Sequence, residues 1–363
     1  MQITYVLELL KPTSKKQKII EENIYQVHLN RKEIAKKLND GQNKLSSKDF
    51  NEHLPSAVIN QNIREVKALF KLFKKSKSKK ESLDFKINQP LCFNNQNYKI
   101  KNHFASFPLY TDKSRRYWFP VIQNESFHQL KNHIDSGAKL AKASLFRKGS
   151  KYYFAVTISI EVDKSTKPNL MGIDIGLNQL AVASIQDPQG KELNRAFYSG
   201  REAGFIRKKY RAVRRSLGKK KKPKKIKDIK NKESRYIRNL NHKISRQLIN
   251  LAVQEEVSTV VMEDLTNIRK TAYSSKRADR NLNSWAFYEL QNFIDYKAKL
   301  AGIEVVYISP KYTSQTCSAC GQVKKSNRKR NIYSCACGYK VHADLNAARN
   351  ICRGSNVLNQ QSA

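Results

Sequence analysis

The chain has 363 residues, 39% of them hydrophobic, which is enough for two or more domains with apolar cores. Its 70 lysines and arginines against 30 acids give a formal net charge of +40, which indicates a polyanionic partner, for which nucleic acid fits best. No apolar run approaches the ~20 residues of a membrane-spanning helix and the N-terminus lacks a signal-peptide pattern, so the sequence predicts an intracellular, cytoplasmic, nucleoid-associated protein with no membrane partner.

The first half of the chain is predicted to be a small β structure with a helical insert. Residues 1–10 read as a strand, and apolar residues at helical spacing follow at 15–39 and 54–75. A Lys-Ser linker and short strand-like runs lead to residues 152–160, where the side chains alternate with a period of two. A strand, a helical insert and further strands indicate an antiparallel sheet or barrel that is interrupted early.

A polar, proline-containing stretch at residues 163–169 predicts a linker to the second half of the chain. Three strands are predicted after it, at 170–175, 180–186 and 194–199. The turns between them are short, so consecutive antiparallel pairing is expected.

Helices and strands alternate after these three strands. Two basic helical pieces at 202–217 and 232–256, separated by a lysine tract at 219–227, precede a further strand. A helix at 284–301 then delivers a strand at 302–308. Three strands, a helix, a strand, a helix and a strand is the order of an α/β RNase H-like fold.

Three acids stand where a folded core can bring them together. They are Asp174, before the turn glycine Gly176; Glu263, at the end of an apolar run; and Asp344, at the start of a helix-like segment. Each has an ordinary reading as well, because turns favour aspartate and helices often begin at one. Glu263 has a rival in Asp264, which points to the opposite face of the strand, and alternation alone does not choose between them.

Three separated carboxylates are able to hold two divalent cations. Phosphodiester cleavage needs an acidified water and a stabilised leaving oxygen, and two ions about 3.5–4 Å apart provide both. Hard cations such as Mg²⁺, or Mn²⁺ in its place, take carboxylate oxygens as ligands. The sequence therefore predicts a nuclease site at these acids, in which Gly176 lets the chain reverse tightly beside metal and phosphate.

Four cysteines form the strongest local signal in the chain. Cys317 and Cys320 are separated by fourteen residues from Cys335 and Cys337, and a glycine follows each pair. This clustering predicts a zinc ribbon with one structural Zn²⁺ rather than disulfides. The second pair is one residue tighter than usual, which leaves His342 as an alternative ligand. The basic loop between the pairs is expected to reach phosphate through Lys324, Arg328 and Arg330.

The basic helical segment is predicted to neutralise phosphates without reading bases, although a lysine run is more often simply solvated. Tyr210 and Tyr236 are interleaved with it and stack on bases or belong to the core. Arg349 follows Asp344 on the same helix and contacts phosphate or is solvated. The candidate contacts of the segment are Arg207, Lys208, Arg211, Arg214, Arg215, Lys220 and Lys224.

Residues 172–176, 261–265 and 344–348 resemble the RuvC-like motifs of the TnpB family of transposon-encoded, RNA-guided DNA endonucleases, which are relatives of compact type V CRISPR effectors. The resemblance is strongest from residue 170 to 351. It implies an RNase H-like (RuvC) domain with an inserted zinc ribbon, and it assigns Asp174, Glu263 and Asp344 as the catalytic, metal-binding acids. It also selects Glu263 over Asp264.

The resemblance extends to two further segments. Residues 309–317 look like the family's lead-in to the ribbon, with Tyr312 and Ser314 as candidate nucleic-acid contacts. Residues 54–73 resemble the family's recognition-lobe helix, which implies that Ser56, Asn60 and Gln61 contact the short motif beside the target. The chain departs from the family in the tighter second cysteine pair and in His342-Ala343-Asp344, where many members have Asp-Arg-Asp.

By this resemblance the chain divides into four parts. The expected parts are a wedge-like β-barrel at 1–12 and 84–165, a helical recognition lobe at 13–83, a RuvC-like domain at 166–309 and 340–363, and a zinc ribbon at 310–339. The implied partners are a guide RNA derived from a transposon end, with one protein per RNA, and a double-stranded target DNA. The alternatives are a compact type V CRISPR effector, an RNA-guided DNA-binding repressor without nuclease activity, and a transposase that acts without RNA.

Overall fold

A computed structural model describes residues 1–50, 53–76, 82–265 and 287–360, without the side chains of residues 230 and 355–360. The chain divides into two compact units, Met1–Glu161 and Val162–Ala363. The predicted polar linker at residues 163–169 begins close to this division.

The first unit contains two antiparallel sheets. One has the order β1-β7-β6-β2 and the other the order β3-β4-β5, and an isolated bridge joins Leu9 to Val121 at their ends. Aromatic rings from both sheets form the centre of its core: Phe107 stacks on Phe93 and on Phe154, with ring centroids 5.3 and 4.9 Å apart. The strands are β1 (Gln2–Glu8), β2 (Leu91–Phe93), β3 (Lys99–Lys101), β4 (Phe104–Tyr110), β5 (Ser114–Pro120), β6 (Lys139–Lys148) and β7 (Lys151–Ser159).

Helices α1 (Ser14–Asn39) and α2 (Ser56–Lys75) are inserted between β1 and β2, as the spacing of apolar residues predicts. Thr13 caps α1 by accepting the N–H of Lys16 through its side chain. A further helix, α3 (Glu125–Asp135), lies between β5 and β6 and was not predicted. It is short, with Phe127 and Leu130 buried, so its periodic signal is weak.

The second unit contains a five-stranded sheet of order β10-β9-β8-β11-β12. The first three strands are antiparallel neighbours, and β11 runs parallel to β8 and to β12. This is the RNase H-like arrangement that the order of elements predicts. The strands are β8 (Asn169–Asp174), β9 (Gln179–Gln186), β10 (Glu192–Ser199), β11 (Val257–Glu263) and β12 (Glu304–Ile308).

The helices of this unit are α4 (Arg201–Lys219), α5 (Pro223–Gln254), α6 (Phe287–Leu300) and α7 (Ala343–Gln360). The break between α4 and α5 lies within the predicted lysine-rich separator at 219–227, but it is shorter than predicted, because α4 ends at Lys219 and α5 already begins at Pro223. Proline is pre-organised for the first helical turn, and lysine is a good helix former, but a run with Ile226 as its one aliphatic residue shows no helical pattern. The predicted start of α6 at residue 284 lies outside the described residues. None of the described helices combines the length and apolar composition needed to cross a membrane.

A small ribbon precedes α7. Its strands β13 (Arg328–Lys329), β14 (Ile332–Ser334) and β15 (Lys340–His342) form an antiparallel sheet. Its core is built from Cys317, Tyr333, Cys335 and Ala343. So few apolar residues make a small core, for which a metal is the usual supplement.

Candidate active site

The ends of two neighbouring strands bring two acids to one edge of the five-stranded sheet. Asp174 ends β8 and Glu263 ends β11. These strands are parallel, and Met262 pairs with Ile173, so the next residue of each strand falls at the same position of the sheet edge. Asp174 and Glu263 are therefore neighbours.

Asp344 joins them from the first turn of α7. The approach of this helix to the sheet depends on Gly172, because a β-carbon there would lie 2.2 Å from the carbonyl oxygen of Ala348 and 2.5 Å from the backbone nitrogen of Cys352. Only glycine fits this space. The strand that carries Asp174 consequently lies directly against the helix that carries Asp344.

Gly176 has a weaker steric requirement than Gly172. A β-carbon at Gly176 would lie 3.1 Å from the carbonyl oxygen of Gln179, and the residue does not have a positive φ. The chain thus turns after Asp174 without left-handed backbone at Gly176. The requirement for glycine at this reversal therefore comes from the short distance to Gln179 and not from the backbone conformation of Gly176.

Burial raises the pKa of two carboxyl groups in the acid site, by which we mean Asp174, Glu263 and Asp344. Burial, followed by the charges of Glu263 and Asp344, raises the pKa of Asp174 to about 8. Burial also raises the pKa of Glu263, while a hydrogen bond from Thr313 and the charge of Arg328 act against this rise. Buried carboxylates that repel one another are a donor set for a hard divalent cation, whose charge offsets the repulsion. The residues present therefore fit Mg²⁺ or Mn²⁺.

Two contacts hold Glu263 in place. The hydroxyl of Thr313 donates to its Oε1, and Nε2 of Gln291 donates to its backbone carbonyl at 2.7 Å. The side chain of Asp264, by contrast, is exposed. The structure thus brings Glu263 and not Asp264 beside Asp174, which is the choice that the family resemblance implied.

A cation from the ribbon contacts the third acid. Nη2 of Arg328 donates to Oδ1 of Asp344 at 2.7 Å, so the guanidinium that was predicted to reach phosphate lies at the acid site. The backbone N–H of Asp344 donates to Nδ1 of His342 at 3.3 Å, and the imidazole meets Phe197 edge-on at a centroid distance of 5.4 Å. His342 therefore supports the start of α7.

The four cysteines converge in the ribbon. Their sulfurs all lie within 4.8 Å of one another, with Cys317 3.9 Å from Cys337 and Cys320 3.7 Å from Cys335. Tetrahedral zinc with Zn–S bonds of about 2.3 Å requires sulfurs about 3.8 Å apart, so the set fits one closed, structural Zn²⁺. The tight second pair is therefore compatible with four thiolate ligands, and the described cluster does not include His342.

The candidates for reading the adjacent motif lie together in the first unit. Ser56, Asn60 and Gln61 share one face of α2 and line a pocket of about 460 Å³. The side chain of Gln61 donates to Oε1 of Glu65 at 3.3 Å. Arg64, Lys67, Asn94 and Asn97 also line this pocket.

The basic candidates of α4 and α5 divide by exposure. Arg207 is half-buried, and burial lowers its pKa to about 10. Arg214 pairs with Glu233 at 2.5 Å. The exposed members, which are available to a polyanion, are Lys208, Arg211, Arg215, Lys220 and Lys224.

Neither tyrosine of this region is simply a base-stacking residue. Tyr210 packs against the apolar core, and the hydroxyl of Tyr236 donates to Glu202. Arg349 is half-buried and not simply solvated, because its guanidinium pairs with Glu192 of β10, with Nε 3.0 Å from Oε1. No local pattern indicates that strand as its partner.

The ribbon presents its remaining candidates to solvent. Tyr312 is 60% exposed, with a left-handed backbone of φ +65°, and Ser314 is half-buried after it. Lys324 and Arg330 are exposed. The basic loop therefore offers exposed cations at Lys324 and Arg330, while Arg328 of the same loop contacts the acid site.

Sequence reasoning did not identify Gly172 or Thr313 as parts of the site. The signal for Gly172 was a glycine inside an apolar strand, which suggests the close approach of another backbone. Thr313 carried no local signal, because its partner Glu263 is 50 residues earlier in the chain. A hydroxyl residue in a polar segment is too common to be informative.

Comparisons with known proteins relate this chain to two families and to a solved fold. A family described as "Cas12f1-like, TNB domain" matches residues 287–351, and a family described as "Probable transposase" matches residues 154–269. The cryo-EM structure of a Cas12f1-sgRNA-target DNA complex has the same fold, with a TM-score of 0.72 at 19% identity over 93% of this chain and 83% of that chain.

Two curated relatives extend the similarity to sequence. The CRISPR-associated endodeoxyribonuclease Cas12f1 of Sulfoacidibacillus thermotolerans is 31% identical over 329 residues, which cover 82% of this chain and 76% of the relative. A TnpB-like protein of Methanocaldococcus jannaschii is 34% identical over 194 residues, which cover 52% of this chain and 69% of the relative. The chain belongs to the TnpB family, together with the Cas12f1 nucleases that it resembles over most of its length.

Proposed function

We propose that this protein is an RNA-guided DNA endonuclease that hydrolyses target DNA at Asp174, Glu263 and Asp344. The observation that carries the proposal is the meeting of these carboxylates at one edge of an RNase H-like sheet. Relatives that are named endodeoxyribonuclease and TnpB-like support it, as does the RNA- and DNA-bound structure of the same fold.

Each residue of the site has a part in this chemistry. Two divalent cations, Mg²⁺ or Mn²⁺, supply an acidified water and stabilise the leaving oxygen when bound. Asp174 and Glu263 offer carboxylates from rigid strand ends, and Asp344 offers one from the start of α7. Arg328 brings guanidinium donors that match the oxygens of a phosphate. Cys317, Cys320, Cys335 and Cys337 would hold one structural Zn²⁺.

The partners we propose are a guide RNA and a double-stranded target. A net charge of +40 suits a protein that follows phosphate backbones and leaves the choice of sequence to base pairing. The polar pocket on α2, with Ser56, Asn60 and Gln61, is the proposed reader of a short motif beside the target. We assign one protein per RNA and four parts: a wedge-like barrel at 1–12 and 84–165, a recognition lobe at 13–83, a RuvC-like domain at 166–309 and 340–363, and a ribbon at 310–339.

Two related systems are candidate sources of the guide RNA. A TnpB protein takes its RNA from a transposon end, whereas a compact CRISPR effector takes it from a repeat array. The 31% identity to a Cas12f1 nuclease supports the repeat array as a candidate source. The DNA that neighbours the gene distinguishes them.

The test is cleavage of a matched plasmid by the protein purified with RNA from its flanking DNA. With Mg²⁺ we expect cutting only when guide and target match, beside one short motif drawn from a randomised library. Asp174→Ala should abolish cutting and leave plasmid binding intact. A plasmid that stays uncut beside every motif would overturn the proposal, and cutting without RNA would favour an RNA-independent transposase.

A further inference from the structure

One hydroxyl connects the ribbon to the acid site. Thr313 is 9% exposed, and its Oγ1 donates to Oε1 of Glu263. The carbonyl oxygen of Pro310 also lies 3.2 Å from this hydroxyl. A hydroxyl has one hydrogen to donate, and a carboxylate is the stronger acceptor, so the hydrogen goes to Glu263. The other carboxylate oxygen of Glu263 is then available to bind a cation.

The backbone before Thr313 adopts a conformation that side chains disfavour. Tyr312 has φ +65°, in the left-handed region where a bulky residue is an outlier. Its ring is 60% exposed, so packing of the ring does not account for this conformation. The backbone N–H groups of Gln315 and Thr316 both donate to the carbonyl of Tyr312 at 2.9 Å, which closes a turn that aims Thr313 inward. Backbone strain of this kind is concentrated at functional sites.

The helix that carries Asp344 also anchors Thr313. Nδ2 of Asn350 on α7 donates to the carbonyl of Thr313 at 2.9 Å and to that of Thr316 at 2.7 Å. Nδ2 of Asn346, one turn earlier, donates to the carbonyl of Thr316 at 2.7 Å. The placement of Thr313 is therefore fixed by the same helix that places the third acid.

We infer that Thr313 is a positioning residue that orients the Glu263 carboxylate for cation binding, so that the ribbon completes the acid site as well as presenting its basic loop. The inference rests on the proposed function. A group that hydrogen-bonds a metal-binding carboxylate fixes its orientation, and the loss of such a group typically weakens metal binding by about 10–100-fold. Thr313 meets Glu263 from outside the strand that carries it, so strand geometry alone does not set this carboxylate.

The test is the Mn²⁺ binding of the protein–RNA complex in excess of that of an Asp174→Ala complex with the same RNA, whose phosphates also bind Mn²⁺. Free Mn²⁺ is measured by electron paramagnetic resonance. Thr313→Val keeps the shape of the side chain and removes the hydroxyl, and we expect Mn²⁺ binding to weaken at least about tenfold. Thr313→Ser keeps the hydroxyl and should retain wild-type affinity. Thermal melting of each variant reports folding separately from cation binding.

Equal Mn²⁺ affinity in Thr313→Val and wild type, with equal melting temperatures, would overturn the inference and leave the nuclease proposal standing. Should Thr313→Val melt early, Thr313→Ala removes the hydroxyl without a second branch, and the same comparison decides. A wild-type complex that binds no more Mn²⁺ than the Asp174→Ala complex would remove both this inference and the assignment of the acid site. Guided cleavage by the same wild-type preparation separates the two failures.

Discussion

The environment of Asp174 is set both by close backbone packing and by the charges of neighbouring acids. It ends a strand against which α7 packs at Gly172, and it lies beside Glu263 with Asp344 close by. The acids were predictable from sequence because strand ends and helix starts leave patterns. The contacts that orient them were not, since Thr313 and Arg328 reach the site only through tertiary structure.

At the residue scale, Gly172→Ala should be severely destabilising. The new β-carbon would meet backbone atoms of α7 at 2.2 Å and 2.5 Å, and backbone cannot rotate away as a side chain does. We expect a cost of about 3 kcal/mol, at the upper end of overpacking, together with loss of cleavage as Asp344 moves from Asp174. Melting and plasmid assays measure the two effects.

Gly204→Ala is the matched control for this substitution. Gly204 lies within α4, and a β-carbon there would meet nothing within 4 Å. Alanine in a helix interior is favoured over glycine by about 0.5–1 kcal/mol, so this variant should be as stable as the wild type or more so. A Gly172→Ala protein that melts and cuts like the Gly204→Ala protein would refute the steric argument.

At the scale of elements, the nuclease sheet was more predictable than the helices around it. Apolar runs between turns locate β8, β9 and β11 within one or two residues. The boundary between α4 and α5 was misplaced, because lysines form helix without marking a buried face. Elements such as α3 and β4 were not singled out, since pairing partners set them more than local pattern does.

The packing of α6 on α5 should depend on pH through Lys297. This lysine is 4% exposed, and its Nζ donates to the carbonyl of His242 at 2.8 Å and to Oγ of Ser245. Burial, followed by the charge of Arg246, lowers the pKa of Lys297 to about 8. A lysine whose pKa is depressed on folding opposes the folded state below about pH 8 and stops doing so as the pH rises towards its unfolded value near 10.5.

We therefore expect stability to rise between pH 8 and 10 more steeply in the wild type than in Lys297→Met. Methionine fills similar volume without a charge, so the difference between the two profiles isolates this amine from the other lysines. Thermal melting over that range measures it. Parallel profiles of melting temperature against pH for the two proteins would mean that folding does not lower the pKa of Lys297.

At the scale of the whole molecule, the excess of positive charge should make the affinity for DNA depend strongly on salt concentration. Each phosphate contact of a bound duplex contributes about 0.9 to the slope of log affinity against log salt. Lys220→Ala combined with Lys224→Ala removes two exposed cations, so the slope should fall by about 2 on a non-cognate DNA duplex. Arg214→Ala is the control, because Arg214 already pairs with Glu233. An unchanged slope in the double variant, or an equal fall in the control, would contradict this account.

The family and the type of chemistry were readable from the sequence because the acids and cysteines keep their order and spacing. The identity of the guide and of the adjacent motif was not, since base pairing and the neighbouring DNA carry that information. The pocket around Asn60 and Gln61 is the proposed site for that motif, and its polar lining is suited to base edges.

The most direct measurement is guided plasmid cleavage by four single variants in one assay: Asp174→Asn, Glu263→Gln, Asp344→Asn and Asp264→Asn. The first three change the acid site by one atom each, and the fourth changes the exposed residue that directly follows Glu263. We predict loss of cutting with retained target binding for the first three, and wild-type cutting for Asp264→Asn. Cutting by Glu263→Gln, or its loss in Asp264→Asn alone, would contradict the site described.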